Sequence, residues 1–203
     1  MCPTPLRQSR GRPREFDIED AVRLAIEVFR QRGYTATSIV ELMEGMRLSR
    51  GSFYKAFHDK KSVFVAAYDQ YASEGVERLK AIARVSGTGR ERIAAVLALY
   101  AELSQGPDGQ RGCLVVATAV ELSLHDPDIA RRVVASWQST EALLCELIRL
   151  AEEDGSIVIQ KDRQAVARSL LCLMQGMRLL GKSEEHGQAG FKAIVQQAMK
   201  MID

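Results

Sequence analysis

Histidine and cysteine are scarce in this chain of 203 residues, with 3 of the first and 4 of the second. His58, His125 and His186 form no metal-binding pair. Cys2, Cys113, Cys145 and Cys172 fall at neither zinc-ligand nor disulfide spacing, so no metal centre and no disulfide framework are expected. No Gly-rich phosphate loop follows a strand pattern and no Gly-x-Ser-x-Gly elbow occurs, which excludes two common enzyme classes. The chain is read as a non-enzyme without a cofactor. Its most apolar stretch, Cys113 to Val120, falls far short of the roughly 20 residues that span a bilayer. The N-terminus is rich in arginine and has no apolar signal core, so a cytoplasmic protein with no membrane partner is expected. Internal repeats and low-complexity segments are absent.

What is present is apolar substance and an uneven charge. Hydrophobic residues make up 46% of the chain, enough for a packed core, and the length allows a small unit beside one larger domain. Residues 1 to 61 hold 12 Lys and Arg against 8 Asp and Glu, while residues 62 to 203 hold 16 against 18. The positive charge therefore sits in the first third. Within residues 1–14, Arg7, Arg10, Arg12 and Arg14 stand among Pro and Gly with no acidic residue and no apolar period. Such a basic arm suits a phosphate ridge or a minor groove, and equally an ordinary solvated tail.

The segment 15–61 carries the sharpest motif. Ser38 followed by Glu41 is a capping box, which starts a short helix at Ile39 that runs to about Met46. After a turn at Arg47-Leu48, Ser49 caps a second short helix ending near Phe57. On it Phe53 and Phe57 share a face and are expected to pack against Leu42 and Leu48, leaving Arg50, Gly51, Ser52 and Lys55 outward. A short, polar, positive helix of this kind fits the DNA major groove: Arg and Lys donate to guanine edges, and Gly or Ser lets the backbone approach. Tyr54, His58, Lys60 and Lys61 surround its end and offer donors for phosphates.

The arrangement Gly11-Arg12-Pro13-Arg14-Glu15-Phe16-Asp17, Ala25 to Phe29, Gly33-Tyr34, Thr37-Ser38-Ile39 and Ser49 to Phe57 with Asp59-Lys60 resembles the TetR family of bacterial transcriptional repressors. Arg111-Gly112-Cys113-Leu114, Glu121-Leu122 and His125-Asp126-Pro127 resemble a pattern of one branch of it. The resemblance implies a homodimer on a double-stranded DNA operator, released by a small hydrophobic or electrophilic effector; an activator is the variant reading. It also implies that Ser38 and Ser49 bind phosphates, that Arg50, Gly51 and Lys55 face bases, and that Tyr54, His58 and Lys60 grip the backbone. Two positions depart from the pattern: Arg47 stands where glycine is frequent, and Val40 where a polar residue is frequent.

The remainder, 62–203, reads as helical throughout, giving an all-α fold: an N-terminal three-helix helix-turn-helix unit, then a ligand-binding and dimerisation domain. The first helix is expected after Asp17 and stops at Gly33; a long fourth one covers about Lys61 to Arg84. Further helices are expected at Arg90 to Leu103, Cys113 to Leu124, Pro127 to Asp154, Arg163 to Gly181 and Ala189 to Ile202, with Gly106-Pro107-Asp108-Gly109 as a loop. Apolar residues nearly encircle Cys113 to Leu122, which predicts a central, pocket-lining helix. The expected pocket takes Tyr68, Tyr71, Val96, Tyr100, Cys113, Val116, Val120, Trp137, Leu144, Met174 and Met177. Leu170, Leu173, Met177, Leu180, Ile194, Val195, Ala198 and Met199 are expected at a four-helix dimer interface. Cys113, following Arg111 near a helix start, is either a redox or electrophile sensor or a small buried apolar residue.

Overall fold

The computed structural model describes residues 17–158, 162–183 and 188–203, and every regular element among them is a helix. Arg10 and Arg12, with the whole basic arm, lie outside the described residues. The first helix among the described residues is α1 (Ile18–Arg32), whose start is fixed by the Asp17 carboxylate accepting the Glu19 amide at 2.8 Å. Glu19 and Asp20 occupy its first turn and Arg30 and Arg32 its last, matching the helix dipole at both ends. Gly33, at φ +79°, ends it in a conformation that an L side chain resists.

Next come α2 (Ile39–Gly45), with the full Ser38/Glu41 capping box, and α3 (Arg50–Ala56), capped by Ser49. Arg47 sits between them at φ +56°, a left-handed turn that costs a residue with a Cβ about 1 kcal/mol. The long α4 (Lys60–Ala83) leads to α5 (Gly89–Leu103), α6 (Gly106–Arg111), α7 (Leu114–Leu122), α8 (Pro127–Glu153), α9 (Arg163–Ser183) and α10 (Gln188–Met199).

Two sequence expectations fail here for identifiable reasons. The Gly106-Pro107-Asp108-Gly109 segment is not a loop but part of α6, because Pro107 falls in a first helical turn, where its missing N–H costs nothing. Gly109 and Gly181 then allow close backbone approach: a Cβ at either would lie 2.4 Å and 2.1 Å from the Ser104 carbonyl oxygen. The second failure concerns α7, which is not a central helix. Only Leu114 and Thr118 are buried in it, and Val120 is 76% exposed.

Buried apolar side chains form two clusters. One joins α1 to α4 around Phe29, Leu42, Phe53, Phe57 and Phe64 and extends to Leu114, Ile129 and Val133 on α7 and α8. Phe29 and Phe64 meet edge to face at 5.0 Å between ring centroids, and each fully buried ring contributes on the order of 2 to 3 kcal/mol. The other cluster gathers the end of α4 with α5, α8, α9 and α10 around Ile93, Leu97, Leu144, Leu170 and Met174. The long α4 and α8 each contribute to both, so these two helices link the clusters mechanically.

Candidate functional site

The outer face of α3 is built as a reading surface. Phe53 is fully buried beneath it, while Arg50, Gly51, Tyr54 and Lys55 are exposed. The Ser49 hydroxyl accepts the Ser52 amide at 3.2 Å and lies 3.0 Å from the Ser52 hydroxyl, so both serines cluster at the helix start. The Arg50 guanidinium rests 5.9 Å from the Tyr54 ring centroid, which steers it along the helix surface. Around Gly51 there is open space: a Cβ there would meet nothing within 4 Å. His58 and Ser38 are also exposed, although the Ser38 hydroxyl already donates to Glu41 at 2.8 Å.

Lys60 departs from its expected place. Its ammonium donates to the carbonyls of Tyr34 at 3.0 Å and Thr37 at 2.9 Å and lies 4.3 Å from the Tyr34 ring centroid. These contacts turn it inward, where it ties the start of α4 to the turn before α2 instead of standing free for phosphate.

That turn has a second anchor, from α7. The Glu121 carboxylate accepts the backbone amides of Tyr34 at 2.9 Å and Thr35 at 2.6 Å. Burial pushes the Glu121 carboxyl up, but hydrogen bonds from Thr35 and Tyr34 and the charge of Lys60 outweigh it and leave it below the ordinary range. A further junction centres on Gly112, whose carbonyl accepts Arg30 Nε at 3.0 Å, Arg30 Nη2 at 2.9 Å and Arg178 Nη2 at 3.0 Å. One oxygen thus joins α1 to α9.

Beside this junction lies a cavity of about 330 Å³. Arg23, Ile26, Glu27 and Arg30 of α1 form one side; the rest includes Tyr71, Glu74 and Arg78 of α4, Leu99 and Tyr100 of α5, Asp108 of α6, Cys113 and Val115 near α7, Trp137 and Thr140 of α8, and Gln175 and Arg178 of α9. Of the expected pocket residues, Tyr71, Tyr100, Cys113 and Trp137 are here. Val96, Leu144 and Met174 are instead fully buried core, and Met177 is buried beside a different groove on α9. Tyr68 is buried with its hydroxyl 3.0 Å from that of Ser136, Val116 is half-buried elsewhere on α7, and Val120 points to solvent. The spacing argument found apolar stripes but did not separate residues filling a core from residues walling a void.

Sequence reasoning missed Arg30 and Arg178, which are 7% and 3% exposed. A signal existed: each is a lone arginine inside an apolar helical stripe, next to Phe29 and Met177 respectively. Burial lowers the tendency of Arg30 to stay charged, but the hydrogen bond and charge of Asp108, with Tyr71 and Glu27 nearby, more than restore it. For Asp108 burial acts upward, and the bonds and charges of Arg30, Arg178 and Arg111 hold its carboxyl below the usual range. Burial first, then the Cys113 sulfur, pushes the Tyr71 phenol well up, while Tyr100 is pushed up to about 12. Both are protonated donors near neutrality.

The predicted interface set divides as well. Leu170, Ala198 and Met199 are buried within the chain's own core and offer little outer surface, while Met177, though buried, borders the α9 groove. Leu173, Leu180 and Ile194 border an apolar groove on α9 with Cys172 and Met201, and Val195 lines a smaller one beside Ala98 and Lys192. Among the described residues no group of His, Cys, Asp and Glu is arranged to hold a metal ion, and no helix is long and apolar enough to cross a membrane.

Comparison with known proteins places this geometry in company. Residues 22–67 match the sequence model for bacterial regulatory proteins of the tetR family, and residues 89–196 match the tetracyclin repressor-like C-terminal domain. The transcriptional repressor ComR of Escherichia coli K12 is 28% identical over 86% of this chain and 83% of its own. YezE of Bacillus subtilis 168, an uncharacterized HTH-type transcriptional regulator, is 30% identical over 79% of this chain and 83% of its own. A solved structure of the TetR family regulator CifR, cysteine-substituted and complexed with 26-bp double-strand operator DNA, superposes with a TM-score of 0.82 at 25% identity, covering 93% of this chain and 98% of that one.

Proposed function

Because the chain belongs to the tetR family of bacterial regulatory proteins, we propose that it is a transcriptional repressor that binds a palindromic DNA operator as a homodimer and releases it when a small molecule fills the cavity beside α1. The observation that carries this reading is that one cavity shares walls between α1, which supports the reading helices, and α8 and α9. Arg50, Gly51 and Lys55 face bases; Ser38, Ser49, Ser52, Tyr54 and His58 serve phosphates; Lys60 has a positioning part. The apolar border of the α9 groove, with Leu173, Leu180 and Ile194, supports pairing of two chains there. The solved complex of the similar regulator CifR with operator DNA supports operator binding.

Release follows from linkage. A ligand that binds the released form better than the DNA-bound form shifts the population, and a tenfold loss of operator affinity takes about 1.4 kcal/mol of differential binding. A second reading keeps the DNA face and makes Cys113 the responder, since its thiol lies in the cavity wall and makes no capping hydrogen bond at the start of α7. Promoter release by quinones or peroxide in a Cys113→Ser variant separates the two: release that persists removes the thiol mechanism.

Selection from a library of random duplexes tests the main reading. Enrichment of a palindrome that resists competitor DNA is expected; uniform, steeply salt-dependent retention of all sequences would overturn it.

A further inference from the structure

The cavity wall holds a buried guanidinium, Arg178, that forms no ion pair at contact distance among the described residues, although the Asp108 charge acts on it. Arg178 spends its Nη2 on the Gly112 carbonyl, while its Nη1 is buried without a hydrogen-bond partner among the described residues. Of the carboxylates in the lining, Asp108 binds Arg30 at 2.8 Å and Arg111 at 3.4 Å, Glu27 lies 3.2 Å from Arg30, and the exposed Glu74 accepts from Gln70 at 2.8 Å. A guanidinium keeps its charge, and a buried charge is stable only when paired.

A second donor is also unmatched. The indole Nε1 of Trp137, in the same wall, is buried without a partner among the described residues. The Tyr71 and Tyr100 hydroxyls lie in this lining too, and Leu99, Leu103 and Val115 supply apolar surface. The lining therefore combines donors around one buried guanidinium that lacks an ion pair with room for a small hydrocarbon skeleton.

We propose that the cavity selects a small organic carboxylate, its oxygens taking the free N–H groups of Arg178 and Trp137 and its hydrocarbon part lying against Tyr71, Tyr100 and Leu99. Arginine is suited to this because its planar fork matches a carboxylate. With Asp108 and Glu27 spent on Arg30, Arg178 is the one buried guanidinium of the lining without an ion pair, which favours a monoanion over inorganic phosphate. The proposal rests on the reading of the cavity as the effector site and names the effector's class. It also supplies a route to the DNA face: Arg178 shares the Gly112 carbonyl with Arg30, so an anion drawing on the free side of the Arg178 guanidinium pulls on the side chain whose other nitrogen joins the contact that holds α1.

The sole tryptophan of the chain is Trp137, so its emission reports the cavity directly. Benzoate and hexanoate, their primary amides, and inorganic phosphate are titrated into the full-length protein. The acids are expected to bind at least tenfold more tightly than the amides, with phosphate weak. Arg178→Met is expected to erase that preference and Arg178→Lys to retain part of it, with thermal melts confirming folded variants. Should Arg178→Met fail to fold, Trp137→Phe read by calorimetry is expected to lose part of the same preference. Equal binding of acid and amide, phosphate binding as tight as the acids, no response to any acid, or an acid preference that survives both substitutions would overturn the proposal. Operator binding is measured separately by anisotropy. A chain that prefers acids yet binds no operator contradicts the repressor reading and leaves the carboxylate site standing.

Discussion

Glu121 on α7 holds the backbone amide of Tyr34 at 2.9 Å, 87 positions away in sequence. Together with its bond to the Thr35 amide, this fixes the turn from which α2 starts. Replacing the carboxylate by an amide removes charge-assisted acceptance from two backbone donors. Glu121→Gln is expected to lower stability by about 1 to 2 kcal/mol and to weaken operator binding, read by urea unfolding and by anisotropy. Wild-type values in both would show that the contact carries nothing.

The same group makes a pH prediction. The folded Glu121 carboxyl titrates below its unfolded value, near 4.3 for an ordinary glutamate, so the native state favours the ionised form. Its contribution is complete above the unfolded value and disappears as pH falls through the lower, folded one. Asp126, lowered chiefly by the hydrogen bond from Lys61, adds in the same direction. Melting temperature is therefore expected to drop as pH falls from 5 toward 3, with a shallower drop in Glu121→Gln, as followed by circular dichroism.

Gly51 separates stability from recognition. No atom of the chain obstructs a Cβ there, and alanine is favoured over glycine within a helix by up to about 1 kcal/mol. Gly51→Ala should melt at the same temperature or higher, yet bind operator more weakly because the added methyl holds the backbone off the bases. Arg50→Ala and Lys55→Ala should each relax base preference, at about 1 to 3 kcal/mol per lost bidentate contact. Competition among single-base operator variants checks this; an unaltered preference in both would remove α3 as the base reader.

Lys60 gives the opposite signature. Its two carbonyl contacts and its place over the Tyr34 ring are internal, so Lys60→Ala is expected to cost on the order of 1 to 3 kcal/mol of stability. The slope of operator affinity against salt should stay close to that of the wild type. A slope flattened by about one unit with no change in melting would return Lys60 to the phosphate contacts.

Local chemistry made much of this structure legible in advance. Asp17, Ser38 and Ser49 each cap the helix that the sequence assigned to them, because a cap is decided within four residues. The backing of α3 by Phe53 was equally readable from one helical turn. Where the outcome depended on distant partners, the sequence was silent. Lys60 looked like a free cation since Tyr34 meets it only through the fold, and nothing near Arg178 in the sequence marks the Gly112 carbonyl as its partner. The exposure of Val120 shows the same limit from the apolar side, for hydrophobicity all round a short helix does not say which face is covered.

The account turns on two chains sharing one operator, and sedimentation of the protein with its selected duplex measures that directly. Two chains per duplex are expected for the wild type. Leu180→Glu, at a position already 42% exposed in the single chain, should stay folded yet sediment as a monomer and lose operator affinity. A wild-type chain that binds singly, or coats the duplex without a fixed stoichiometry, would contradict the account.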